Sequence, residues 1–146
     1  MISELKQLIL DAGIDYITKY EERYFFNGVN VHELELEQGY ILIEEFTQGN
    51  IVRDKFFTDT VRAQVYLFKI PSQETINDTT AEEREAVRKQ IKDQAVYKLV
   101  KQLRTDASNQ TKNFNVLYPL PRFSCQEIGV LLEFDFKESI CDQSFS

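Results

Sequence analysis

The sequence predicts an α+β fold: a mostly antiparallel sheet with a short N-terminal helix and one long helix packed on one face. Apolar residues recur at four-residue spacing through 80–107, the pattern of a long amphipathic helix. Residues 128–137 have the period of two that is typical of a strand. The elements do not alternate as strand–helix units, so a mostly antiparallel sheet is the economical architecture.

The first elements are a helix and a hairpin. Apolar residues at helical spacing predict a helix over 2–12, with Gly13 as the residue that ends it. The period then changes, and Asn27-Gly28 separates two short strand-like runs, 23–26 and 29–31. Asn-Gly is the dipeptide best suited to a type I′ turn, because both central residues need positive φ, so we expect a hairpin here.

Three further strand signals follow before the linker. Residues 39–46 have the β-branched and aromatic content of a buried strand. Residues 48–50 (Gln-Gly-Asn) indicate a turn, after which 51–57 returns as a further strand. Residues 61–70 alternate clearly and end at Pro71, which cannot donate a backbone hydrogen bond to a sheet.

The second half begins with a polar linker over 72–79. Thr80 and Glu83 then fit a capping box, in which the hydroxyl and the carboxylate each accept a backbone N–H at the helix start. The apolar stripe of the long helix consists of Val87, Ile91, Ala95, Leu99 and Leu103, thickened by Val96 and Val100. The opposite face is charged and faces water or a partner.

Two strands and a tail complete the chain. Residues 114–118 predict a short strand stopped by Pro119 and Pro121, and 128–137 predict the closing strand. We expect one domain over 1–139, because the sequence has no internal repeat and no low-complexity segment that would separate two domains. Residues 140–146 are expected to be a loose tail.

Composition excludes several classes of function. The chain has 146 residues, 24 acidic and 17 basic, with a net charge of −7. This balance counts against tight binding of nucleic acid, which needs several cations facing phosphates. No run approaches the roughly 20 apolar residues that cross a bilayer. The N-terminus lacks the charge pattern of a signal peptide, so we expect a cytoplasmic protein without a membrane partner.

The sequence gives no catalytic, cofactor-binding or metal-binding residue. Five glycines are scattered, and no phosphate-binding loop is present. His32 is the sole histidine, and no nucleophile motif accompanies it, so we expect an exposed histidine and no enzyme. Glu33, Glu35 and Glu37 could bind a divalent cation on one strand face, but a solvated edge is the commoner reason for this pattern. The two cysteines are expected to be free thiols.

Adjacent aromatic residues mark a candidate subunit interface. Tyr24, Phe25 and Phe26 cannot all point to one side of a strand, so at least one faces outward unless a second layer of the same domain covers it. The pair Phe56 and Phe57 raises the same question. These five residues are the predicted interface, because exposed aromatic residues are typical of contacts between proteins.

With these elements in order, the chain resembles the small tail-terminator and tail-completion proteins of long-tailed bacteriophages and prophages. The matching segments are 2–12, 40–46 with 61–70, 80–107 and 128–137. The resemblance implies a structural protein without a cofactor, which forms a homo-oligomeric ring, usually of six copies, at the end of the tail tube. Such a ring contacts other tail or connector proteins, and DNA passes through it without specific binding.

Two alternatives stay open on the sequence alone. One is a different virion part of the same size, a head–tail connector or a tail tube subunit. The other is a cytoplasmic module that binds a small ligand or a partner protein between helix and sheet. The ring interpretation places the protein in the cytoplasm during assembly and in the virion tail afterwards, and it requires two unlike interface patches on each subunit. The 51–57 arm with 24–26, and the polar face of the long helix, are the candidates.

Overall fold

The described part of the chain forms a mixed β-sheet with a long helix on one face. In a computed structural model, the described residues are 7, 9, 11, 12, 14, 23–52, 55–72, 81–105, 113–123, 125–137 and 140–144, with side chains described outside 45–61 and 136–144. The strands are β1 (Tyr24–Phe26), β2 (Gly39–Val52), β3 (Lys55–Lys69), β4 (Phe114–Leu117), β5 (Ile128–Lys137) and β6 (Ile140–Ser144). Their order is β1-β2-β3-β5-β4, and β6 also pairs with β3.

The pairing confirms the predicted fold class. β1 lies parallel to β2, and the other pairings among the described strands are antiparallel. β3 is central, with β2 along one edge and β5 followed by β6 along the other. The sheet is therefore mostly antiparallel, and an α+β description is correct.

The long helix has a π-helical turn in its middle. α1 (Ala81–Ile91) leads into the π turn (Lys92–Val96), and α2 (Tyr97–Thr105) follows. A strict four-residue repeat exceeds the 3.6 residues of an α-helical turn, so the stripe would rotate by about 40° per repeat in an ideal helix. A wider i→i+5 turn corrects this drift and returns the stripe to the sheet.

The helix-covered face of the sheet is apolar throughout. The predicted stripe is confirmed, because Ile91, Ala95, Leu99 and Leu103 are fully buried and Val87 and Val100 pack against them. They meet side chains from the sheet: Ile41, Ile43, Ala63, Val65, Leu67, Val130, Leu132 and Phe134. Ile128, Val130, Leu132 and Phe134 of β5 are also buried, as the period predicted.

The opposite face carries an aromatic cluster covered by loops. Its buried members are Phe25, Tyr40, Leu42, Tyr66, Phe68 and Ile70, and Val29, Leu34, Phe123 and Cys125 pack against them. The Tyr66 and Phe68 rings stack with centroids 4.9 Å apart. Gly129 of β5 lies opposite Phe68. A side chain does not fit at this position, because an added Cβ would come within 2.4 Å of the Tyr66 ring.

Two predictions from the sequence fall largely outside the described residues. Of the predicted helix over 2–12, Gln7, Ile9, Asp11 and Ala12 are described; Ile9 is buried in the apolar core beneath the long helix. The predicted capping box also cannot be followed, since its Thr80 is outside the described part. The long helix itself is present from Ala81 onward.

The predicted hairpin at Asn27-Gly28 is wrong. Asn27 does take positive φ (58°), as the dipeptide favours, but its N–H donates to the carbonyl of Ile43, 2.8 Å away. The chain continues into a 3-10 turn (Val31–Glu33) and returns as β2, parallel to β1. Pairing with β2 buries Tyr24 and Phe25, which a two-stranded hairpin could not do.

The predicted turn over 48–50 is also wrong. β2 continues to Val52, and a register irregularity lies between Gln48 and Gly49. Gln48 pairs with Thr60 and Gly49 with Thr58, so the extra residue of this bulge is Asp59 of β3, and the glycine lies opposite it. Beyond the bulge, Val52 pairs with Lys55, so the strand predicted over 51–57 is divided between the end of β2 and the start of β3. Its residues 55–57 join the strand predicted over 61–70 in one 15-residue strand, β3.

The predicted loose tail over 140–146 is wrong for its first five residues. Ile140–Ser144 form β6 and pair with Lys55–Thr58 of β3. Unpaired backbone groups along β3 provide this segment with hydrogen-bond partners, which local sequence does not reveal. The sequence features that suggested a tail were polarity and position alone.

Candidate functional site

The aromatic residues predicted as an interface are mostly part of the core. Tyr24 and Phe25 are only 7% and 9% exposed, and they lie on opposite faces of β1. Phe26 is half-buried and packs against the helix-covered core. Layers of the same chain thus cover both faces, which leaves little of Tyr24 and Phe25 for another subunit.

Phe56 and Phe57 lie in a three-stranded extension of the sheet, which we call the ribbon. The ribbon consists of 47–52, 55–60 and 140–144, where β3 pairs with β2 on one side and with β6 on the other, beyond the residues that pair with β1, β4 and β5. At about 3.4 Å per residue, six residues extend the sheet by about 20 Å. The predicted interface role of Phe56 and Phe57 stays a prediction, and their backbone position is in the extension.

A second surface lies at the β4 edge, where the apolar side chains are exposed. β4 pairs with β5 on one side, and no other described strand pairs with its second side. Leu120 is 83% exposed, and Tyr97 of α2 is 55% exposed. We call the following exposed residues the edge patch: Tyr97, Val116, Leu117, Tyr118 and Leu120.

Cationic side chains of the long helix lie beside this edge. The Lys92 ammonium donates to the Tyr118 hydroxyl at 2.9 Å, and this hydrogen bond raises the pKa of Lys92. Arg104 lies over the Phe114 ring, 5.4 Å from its centroid. The helix and β4 therefore run side by side, with the edge patch bounded by positive charge. Residues 92–105 contain four basic and one acidic residue, a net charge of +3.

A third surface is the acidic loop, residues 29–38, which connects β1 to β2. It exposes Val31 and Leu36, at 47% and 45%, among three exposed glutamates, and it contains no lysine or arginine. The three glutamates are Glu33, Glu35 and Glu37, so its net charge is −3. His32 is exposed in the same loop, as expected, and its N–H donates to the Asn30 side chain.

Hydrogen bonds hold the acidic loop in one conformation. The Tyr40 hydroxyl accepts from the Arg23 guanidinium at 2.8 Å and from the N–H of Glu35 at 2.7 Å. At the other end, the N–H of Glu37 donates to the carbonyl of Ile70, which is 2.8 Å away. The loop is therefore fixed to β2 and to the end of β3, and its glutamates are presented on a rigid support.

The sequence did not indicate a buried carboxylate, Glu127, which organises the loop before β5. Glu127 is 1% exposed, and one of its oxygens accepts from the N–H of Arg122 (2.6 Å) and the Tyr66 hydroxyl (3.2 Å). The other accepts from the N–H of Phe123 (3.3 Å) and the Cys125 thiol (3.6 Å). A carboxylate held by four donors is well compensated for burial, so its role is to fix the loop.

The surroundings of Glu127 tie three elements together. Arg84 of α1 donates to the carbonyls of Gln126 and Glu127, at 3.3 and 3.0 Å. The Arg122 guanidinium lies over the Tyr66 ring and forms an ion pair with Glu44 of β2 at 3.2 Å. Burial, with help from Glu127, raises the pKa of Tyr66 and raises that of Cys125 to about 11. Both groups are therefore protonated at neutral pH.

An open cleft lies between the start of α1 and the end of β3. Its volume is about 290 Å³, and its lining is mixed: Glu37, Lys69, Ile70, Pro71, Ser72, Glu83, Val87 and Ile128. That is the lower limit for a small-molecule site. Within the described residues, no group of three metal-binding side chains occurs.

Comparison with known proteins adds no relative. No protein-family model matches the chain, and no curated protein matches it significantly. Among the described helices, none is long and apolar enough to cross a membrane. Function must therefore be argued from the surfaces described above.

Proposed function

We propose that the chain is a structural assembly subunit that closes into a ring and terminates or completes a phage or prophage tail tube. The observation that carries this proposal is the ribbon. It extends about 20 Å beyond the part of the sheet that β1, β4 and β5 share, a form suited to reaching a neighbouring subunit. The strands 40–46 and 61–70 before a long helix are also part of the element order on which the family resemblance rests.

The charge of the chain fits this role. A ring that admits DNA must not hold its phosphates, and a net charge of −7 favours free passage. The subunit assembles in the cytoplasm, becomes part of the virion tail, and contacts the tube on one side and connector proteins on the other. It needs no cofactor and catalyses no reaction.

The mass of the chain in solution, together with negative-stain images, tests the proposal. We expect one closed species with a central hole. A double substitution in the ribbon, Phe56→Ser with Phe57→Ser, should shift the population toward monomers, whereas Lys89→Ser on the exposed helix surface should not. A parent chain that stays monomeric at micromolar concentration would refute the ring.

The same images separate the virion alternatives. Rings that stack into long tubes without a tube partner would indicate a tail tube subunit instead. A single ring that does not stack is expected for a terminator or completion protein. Binding to a head portal in preference to tail tubes would indicate a connector.

The open cleft is the observation that favours a second candidate function, a module that binds a small ligand. Its charged rim and apolar floor resemble a ligand site in composition, though its volume is small. Thermal melting with a set of small anionic and cationic metabolites tests this candidate. A monomer stabilised by one of them would favour this function over the ring.

A further inference from the structure

We propose that the edge patch of one copy receives the acidic loop of the next copy in the ring. This inference rests on the proposed function and adds a second contact between its subunits, beside the one made by the ribbon. The two surfaces differ in sequence and in charge, and each combines exposed apolar side chains with charge of one sign.

The edge patch has the composition of a protein contact. It exposes two tyrosines and three aliphatic side chains along the β4 edge and the neighbouring helix, with Val116 on the helix-covered face of β4 and Leu117 on the opposite face. Tyrosine is enriched at the centres of interfaces. The side of β4 away from β5 also has no partner among the described strands. Exposed apolar residues beside an unpaired strand edge favour association unless something covers them.

Charge identifies a second copy as the partner. The helix flank beside the patch has a net charge of +3, while the whole chain has −7. The acidic loop has a net charge of −3; its Glu35 also pairs with Arg23 at 3.5 Å, and Val31 and Leu36 supply the apolar contact. Opposite charges across an interface guide association and fix the register of the contact.

The position of the two surfaces gives a head-to-tail arrangement. The acidic loop joins β1 and β2, the first two strands across the sheet, and the edge patch borders β4, the last. A contact between unlike patches leaves one of each unused on a pair of copies, so a third copy can add in the same way. Such an interface generates a ring when the rotation closes.

Two charge-reversed variants test this contact. The loop-reversed variant carries Glu33→Lys and Glu35→Lys, and the patch-reversed variant carries Lys92→Glu and Arg104→Glu. Each alone opposes like charges and should lose assembly, with subunit affinity reduced at least tenfold. Mixed together, the loop of each variant meets a patch of opposite charge on the other, so the mixture should assemble again with alternating copies.

The control is Glu82→Lys with Glu85→Lys on α1. It makes the same change in net charge as the loop-reversed variant and should assemble like the parent. Melting temperatures near that of the parent show that the variants fold. If both reversed variants still form the ring of the parent, the docking proposal is overturned while the ring stands. The same holds if the mixture of the two variants does not assemble. A parent chain that is monomeric overturns the ring itself.

Discussion

The two faces of the sheet are stabilised in different ways. On the helix-covered face, aliphatic side chains such as Leu67 and Leu99 are fully buried against one regular element. On the loop-covered face, stacked rings surround polar groups, and Glu127 and the Tyr40 hydroxyl anchor irregular segments through hydrogen bonds. Burial area stabilises the first face, and specific partners stabilise the second.

This difference explains how the molecule can present fixed loops. A buried apolar face tolerates many aliphatic residues of similar volume, whereas a carboxylate with four donors specifies one loop conformation. The acidic loop and the segment that follows the edge patch depend on the second face. The acidic loop is held by Tyr40, and Glu127 fixes the segment between the edge patch and β5.

The largest expected effect is in the helix-covered core. Leu99→Ala removes a fully buried side chain and should lower the free energy of unfolding by about 2–5 kcal/mol, because it leaves a cavity. Denaturant unfolding followed by circular dichroism measures it. Lys89→Ala, on the exposed side of α1, is the control and should change stability by less than about 0.5 kcal/mol. Equal losses would mean that the helix does not pack as described.

The matching substitution on the loop-covered face is Glu127→Gln. The amide keeps the shape but turns an N–H₂ toward donors, so we expect a loss of about 2–3 kcal/mol. In a Cys141→Ser background, Cys125 should also react with a thiol reagent at least tenfold faster. Leu99→Ala should not raise the rate at which Cys125 reacts, when the two variants are compared under conditions that give them equal free energies of unfolding. A Glu127→Gln protein with unchanged stability and thiol reactivity would remove the organising role of this carboxylate.

Gly129→Ala tests how closely the loop-covered face is packed. The added Cβ would collide with the Tyr66 ring and with the backbone carbonyl of Leu67, so the aromatic cluster must shift. We expect a loss of about 1–3 kcal/mol, the usual cost of overpacking. Combining it with Tyr66→Phe would leave the ring in place and should not relieve the strain, whereas Tyr66→Ala should relieve part of it.

The smallest effect is a pH dependence confined to the loop-covered face. The pKa of Cys125 is raised by burial from its ordinary 9.0 to about 11, and the pKa of Tyr66 is raised as well. The unfolded chain therefore loses these protons first, so stability is full below pH 9 and falls as pH rises through 11. Cys125→Ser should flatten this decline. A decline that Cys125→Ser and Tyr66→Phe leave unchanged would assign it to other groups.

The helix-covered face could be predicted from sequence because its elements are periodic. The stripe through Ile91 and Leu99 and the alternation along β5 each identify a face by themselves. The parallel pairing of β1 could not be predicted, because Asn27-Gly28 satisfies its local preference in either arrangement. Partner choice depended on the burial offered by β2, which is a property of the whole fold.

The candidate surfaces were harder to predict for related reasons. Glu127 stands alone before a strand, and nothing in its neighbours distinguishes a buried glutamate from an exposed one. Tyr24 and Phe25 were expected to contact another subunit, but two layers of the chain cover them. Residues 114–118 are mostly apolar and are followed by two prolines, which are typical of edge strands, so the sequence does contain a signal of an exposed edge here.

The mass distribution of the unmodified chain, measured by native mass spectrometry, tests the central claim most directly. A head-to-tail contact that closes predicts one dominant species with a fixed number of copies, which is six if the family resemblance holds. That species should dissociate as salt rises, because charged surfaces form the contact. A monomer, or a continuous series of masses without a closed species, would contradict the account.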